Sequence, residues 1–98
     1  MENKVLKLGA VAGRHEIQGI DGYVLNAVEN VTDLGGIEKA VNASLDERLQ
    51  GYDKLDLYVT GLTSVVLTVV KYCYEHNVKL SCYHFDRDSG GYFEQVIR

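Results

Sequence analysis

The sequence predicts an α/β fold, a small Rossmann-like three-layer domain whose mainly parallel sheet ends in a C-terminal antiparallel β-hairpin. Three observations carry that expectation. Residues 55–60 are a short apolar run that passes, at Gly61, into a stretch of helical period. A second helix-period stretch precedes it. Near the end of the chain two β-like runs flank the turn cluster Asp86-Arg87-Asp88-Ser89-Gly90-Gly91. Strands that alternate with helices imply right-handed crossovers and parallel pairing.

The central stretch is residues 55–77. Leu62, Val65, Val66, Val69, Val70 and Cys73 recur at i, i+3, i+4, i+7, i+8 and i+11, which is one face of a helix. Gly61 makes the turn between strand and helix. Lys71 and His76 stand late enough in that helix to complement its dipole. Before it, residues 4–11 form an apolar first strand, as suits a strand covered on both faces. Residues 17–31 are the least informative. Asp21-Gly22 is a two-residue hairpin signal, and the following Tyr23-Val24-Leu25 favours an extended segment over a short helix. Thr32 or Asp33 can cap a helix over residues 36–50, whose apolar stripe is Ile37, Ala40, Val41, Leu45 and Leu49. Gly51 supplies its left-handed terminus. Residues 78–85 alternate as a strand, and residues 92–97 return beside them.

Ninety-eight residues make one domain, and so small a core favours a homodimer. The net charge of −4 argues against binding bulk nucleic acid, which needs a basic face. No apolar run is long enough to span a membrane, and residues 1–4 lack a signal peptide's apolar segment. A cytoplasmic location is expected, with Cys73 and Cys82 as reduced core thiols. His15, His76 and His84 have no helical i, i+4 partner and no Cys-x-x-Cys occurs, so neither a metal nor a cofactor is expected. There is no GxxxxGK[ST], no GxGxxG and no G-x-S-x-G.

In a parallel sheet the carboxyl ends of the strands gather on one rim, where anionic ligands bind. That rim would collect Gly13, Arg14 and His15 from the first strand, Thr60, Gly61, Thr63 and Ser64 from the central turn, and His84 from the third strand. Gly61 would let the backbone approach a ligand. Thr63 or Ser64 would cap the helix or bond a phosphate or ribose, with Thr63 the expected cap. Arg14 is the fixed cation for a phosphate and His15 the group that transfers protons near neutral pH. His84, beside Asp86, would either join the rim or brace the hairpin.

Residues 58–92 resemble the characteristic half of the CARF superfamily, the CRISPR-associated Rossmann-fold domains. In those a strand ends in a Thr-Gly-Gly-Thr-like turn, a small-residue helix follows, and the next strand has an aromatic and acidic end. Val59-Thr60-Gly61-Leu62-Thr63 fills the turn here, and Ser81-Cys82-Tyr83-His84-Phe85-Asp86 fills the strand. Leu62 replaces the second glycine, and Val65 and Val66 stand where a lysine is usual. The resemblance implies ligand contacts at Thr60, Gly61, Thr63, Ser64, Gly13 and Arg14. It also implies the activity of small stand-alone relatives, the ring nucleases of antiviral defence. These bind cyclic oligoadenylate across a homodimer and cleave it without metal.

The leading expectation is therefore a homodimeric binder of a small nucleotide second messenger, with Arg14 and His15 as catalytic residues if the ligand is cleaved. A sponge or sensor would bind without cleavage. A non-enzymatic interaction module, such as an accessory or phage-type inhibitor protein, is the other class. Seven tyrosines in 98 residues favour it, since tyrosine suits interfaces.

Overall fold

A computed structural model describes residues 4–13 and 16–98. In chain order the elements are β1 (Val5–Val11), β2 (Gly22–Leu25), α1 (Leu34–Arg48), β3 (Lys54–Tyr58), α2 (Thr63–Glu75), β4 (Lys79–Asp86) and β5 (Gly91–Val96). The strands form one sheet in the order β2-β1-β3-β4-β5. Four run parallel, and β5 returns antiparallel to β4. The fold class is the one the sequence predicts, α/β with a mainly parallel sheet and a C-terminal hairpin.

The layering is different. The two helices pack on each other. Tyr72 of α2 donates its hydroxyl to Asp46 of α1 at 2.6 Å, and Lys71 pairs with Glu38 at 3.2 Å. Both therefore cover the same face of the sheet. The cause is topological: β2→β3 and β3→β4 step in one direction across the sheet, and right-handed crossovers in one direction lie on one face. The β1→β2 step goes the other way, so its connection crosses the opposite face, where Ile17 lies near Gly9. That connection contains no helix among the described residues, so there are two full layers rather than three.

Strand alternation divides the side chains accordingly. Leu6, Leu8 and Ala10 of β1, Leu55 and Leu57 of β3, and Leu80 and Cys82 of β4 are buried under Ile37, Val41 and Leu45 of α1 and Val65, Val69, Tyr72 and Cys73 of α2. Cys73 and Cys82 are free thiols in that core, as expected. Burial pushes the Cys73 thiol up to about 12, with Cys82 beside it adding to the effect, so it is a packing group and not a nucleophile.

Local signals explain the element ends. Asp33 accepts from the Gly36 N–H at 3.0 Å and so caps α1, starting the helix two residues before the expected position. Gly51 takes φ 84 just after it. Asn77, at φ 56, ends α2 in the same way. Asp21-Gly22 is not a hairpin turn, because β1 and β2 are parallel. Asp21 instead clamps the Lys7 peptide, accepting from its N–H at 2.9 Å and donating to its carbonyl at 2.7 Å. Gly9 admits the Tyr23 ring, whose carbons lie 2.6 Å from where a Cβ would stand.

Candidate functional site

The carboxyl ends of β1 and β3 meet in a tight pinch. Gly13 follows β1, and a Cβ there would sit 3.9 Å from the Thr60 hydroxyl. Gly61 follows β3 at φ 81, with Val11 Cβ only 2.9 Å from the place a side chain would begin. Both the conformation and the space demand glycine at residue 61. A cleft of about 600 Å³ opens at this edge. Its floor is Val59 and Thr60, one wall is residues 16–18 of the β1–β2 connection, and the other is Phe85, Gly90 and Tyr92 of the β4–β5 hairpin.

Two aromatic rings shape that wall. Phe85 and Tyr92 are register partners and meet edge to face, 5.5 Å between centroids. Tyr92 also meets Tyr58 edge-on at 5.0 Å, and Tyr58 stacks on Tyr83 at 4.9 Å. Burial raises the Tyr92 hydroxyl pKa, with Tyr23 and Tyr58 close by, so it stays a neutral donor.

Below the aromatic row, on the same face, lies a charged cluster. Asp56 is only 6% exposed. Lys54 Nζ stands 3.3 Å from its Oδ1, near enough to attract but not aligned as a hydrogen bond, so Oδ1 lacks a donor. Lys54 also reaches Glu94 at 3.4 Å, and Glu94 accepts the Ser81 hydroxyl at 2.7 Å. The Ser81 and Lys54 donors hold Glu94 below the ordinary glutamate value. Burial works against the Lys54 charge, but the attraction of the Asp56 and Glu94 carboxylates outweighs it and raises that ammonium's pKa. The cluster fixes β5 to β3 and β4.

Of the residues singled out from sequence, Thr60 lines the cleft, and Gly13 and Gly61 form the pinch beside it. Arg14 and His15 lie outside the described residues. Thr63 is not the cap of α2. The cap position is Leu62, in extended conformation and without a side-chain hydrogen bond, and Thr63 is already the exposed first helical residue. A capping hydroxyl must precede the helix, and here the polar pair falls one residue too late. Ser64 accepts the Thr68 hydroxyl on its carbonyl at 2.7 Å. His84 is not in the cleft wall either. Alternation turns it to the helix side, opposite Phe85, where Nε2 meets Gln95 Oε1 at 2.8 Å and the ring lies 5.4 Å from Phe93. It braces the hairpin through Gln95 rather than through Asp86.

Phe85 and Tyr92 were not predicted as site residues. Their signal was present: in a hairpin closed at 86–91 they are cross-strand partners on one face. A smaller hollow of about 270 Å³ lies between α1 and the segment before it. Its acidic group, Asp33, is occupied in capping.

Among the described residues no group of three or more His, Cys, Asp or Glu side chains is placed to hold a metal ion. No helix among them is long and apolar enough to cross a membrane. Comparison with family models, with curated proteins and with solved structures gives no match.

Proposed function

We propose that this chain is a cytoplasmic homodimeric protein that binds a small nucleotide in the cleft at the carboxyl rim of its sheet. The observation that carries the reading is the composition of that cleft: a hydroxyl at Thr60, a glycine-pinched backbone, and the Phe85–Tyr92 corner, joined in about 600 Å³. That volume suits a small ligand. Aromatic rings offer a base a stacking surface. Thr60 would hydrogen-bond ribose or phosphate, and Arg14 would supply the fixed cation.

The resemblance to CARF proteins makes cyclic oligoadenylate the first ligand to try and ring opening the reaction to follow. A ribose 2′-hydroxyl attacks the adjacent phosphorus, the bond to the 5′ oxygen breaks, and a 2′,3′-cyclic phosphate and a 5′-hydroxyl result. His15 would take the proton from the 2′-hydroxyl, and positioning with one cation supplies the rest. Incubating the pure protein with cyclic oligoadenylates and following the mixture by chromatography and mass spectrometry tests this. A linear product that disappears in His15→Ala, with binding retained, supports the enzyme. Binding lost in Arg14→Ala and unaltered in His15→Ala, with no product from either protein, supports a sponge. Neither binding nor product removes the nucleotide reading.

A second reading, an interaction module, is favoured by the exposed apolar side chains of the hairpin, Phe85, Phe93 and Val96. Retention of one stoichiometric protein partner, with no nucleotide, would support it.

A further inference from the structure

We propose that β5 pairs with β5 of a second copy, antiparallel about a two-fold axis through Phe93, so that the two sheets become one. The inference goes beyond nucleotide binding: it names the surface of the dimer, and its test needs no ligand.

β5 is an edge strand of six residues. An edge offers a row of unpaired backbone donors and acceptors, and proteins usually blunt it with proline, lysine, a bulge or shortness. β2, at the other edge, is short, with four residues. β5 has none of these devices. It contains no Pro and no Lys, its register with β4 is unbroken over six consecutive pairs, and its one charge, Glu94, is tied to Lys54 and Ser81. Phe93 is 56% exposed and Val96 70%. Large apolar groups left out on an unprotected edge point to a partner that covers them.

Symmetry and charge choose a second copy. A two-fold axis normal to the sheet keeps both helical layers on one side, so residues of like parity face each other. Centring on Glu94 would set two carboxylates opposite, which is unfavourable. Centring on Phe93 stacks two aromatic rings and places Tyr92 opposite the partner subunit's Glu94 and Gly90 opposite the partner subunit's Val96. It also brings the hairpin tip, with Asp86 and Asp88 against one arginine, toward the far end of the partner's hairpin, which carries Lys79 and Arg98. Ends of opposite sign meet. Gly90 and Tyr92 also line the cleft, so the partner subunit's Val96 would extend its outer wall.

The test combines sedimentation of the full chain, without nucleotide, with cysteine cross-linking. Cross-strand partners lie about 4.5–5.5 Å apart at Cα, within disulfide reach. Under mild oxidation Phe93→Cys should give a covalent dimer. Glu94→Cys, two positions out of line with its own copy, and Val31→Cys, exposed elsewhere, should not. Phe93→Lys should sediment as a folded monomer, with an unchanged circular dichroism spectrum, where the unaltered chain is a dimer. A monomeric unaltered chain overturns the proposal, as does a dimer that survives Phe93→Lys with no cross-link at residue 93. A monomer that takes an extended peptide along β5 also overturns it. In each case nucleotide binding in the cleft is read separately, so either claim can fail alone.

Discussion

Two residues show how closely the site depends on what cannot be changed. Gly61 has left-handed backbone and no room for a methyl group against Val11. Gly61→Ala should therefore lower unfolding stability by about 1–3 kcal/mol, from conformational strain and overpacking together. Urea denaturation measures it, and a loss below a few tenths would mean that the pinch relaxes freely. Lys54 matters for the opposite reason, because it shields a charge that is nearly out of water. Removing it leaves Asp56 with an uncompensated carboxylate, and Lys54→Met should cost about 1–3 kcal/mol, less than a deeply buried pair because the lysine side chain is 28% exposed. Restoring neutrality with Asp56→Asn in the same chain should recover part of that loss. A fully additive double variant would show that the two groups do not interact. Gly61 was legible as a turn because glycine is the residue for left-handed backbone. The Lys54–Asp56–Glu94 cluster was not, since it joins β3 to a strand forty residues away and is created only by the strand order.

At the scale of elements, most of the architecture was readable where periodicity was strong. The α1 and α2 stripes, the central strand and the hairpin all stand within a few residues of their expected places. Boundaries moved where a side chain chose the cap: Asp33 was available to α1, while Leu62 took the position expected of Thr63. The layer count was missed because it depends on the direction of each crossover. Segment β2 carries only four residues and joins a sheet edge in parallel, which no local pattern announces. Helix α1 earns its place through burial. Leu45 has no exposed surface, and Leu45→Ala should cost about 2–5 kcal/mol in denaturant unfolding. A cost under 1 kcal/mol would show that α1 packs loosely. The attachment of β5 should show a pH signature. Hydrogen bonds from Ser81 and Lys54 depress the Glu94 pKa from the ordinary 4.5, so its stabilising contribution is present above that value and is lost as pH falls through the lower folded value. Thermal melts across this acid range should therefore decline less steeply for Glu94→Gln than for the unaltered chain. Parallel curves would mean that the bonds are made equally well by a neutral amide.

For the whole molecule, two helices on one face leave the other face to a loop, an aromatic row and a polar cluster, and leave the cleft at the sheet's carboxyl edge. This asymmetry follows from chain direction alone: only the first crossover steps the other way. The sequence placed Thr60, Gly61 and Gly13 together correctly, because ends of parallel strands must share a rim. Phe85 and Tyr92 were legible as cross-strand partners of a hairpin closed at 86–91, but which face of the sheet they occupy depends on the crossover directions. The nucleotide reading depends on that edge being the binding surface, and a titration followed residue by residue tests it directly. Cyclic oligoadenylate is added to isotope-labelled protein, and backbone amide resonances are recorded. Expected are saturable shifts at Gln18, Thr60, Gly61, Phe85 and Tyr92, abolished by Tyr92→Ala in a chain that keeps its fold. Unmoved resonances at this edge, or shifts confined to the helical face, would contradict binding in the cleft.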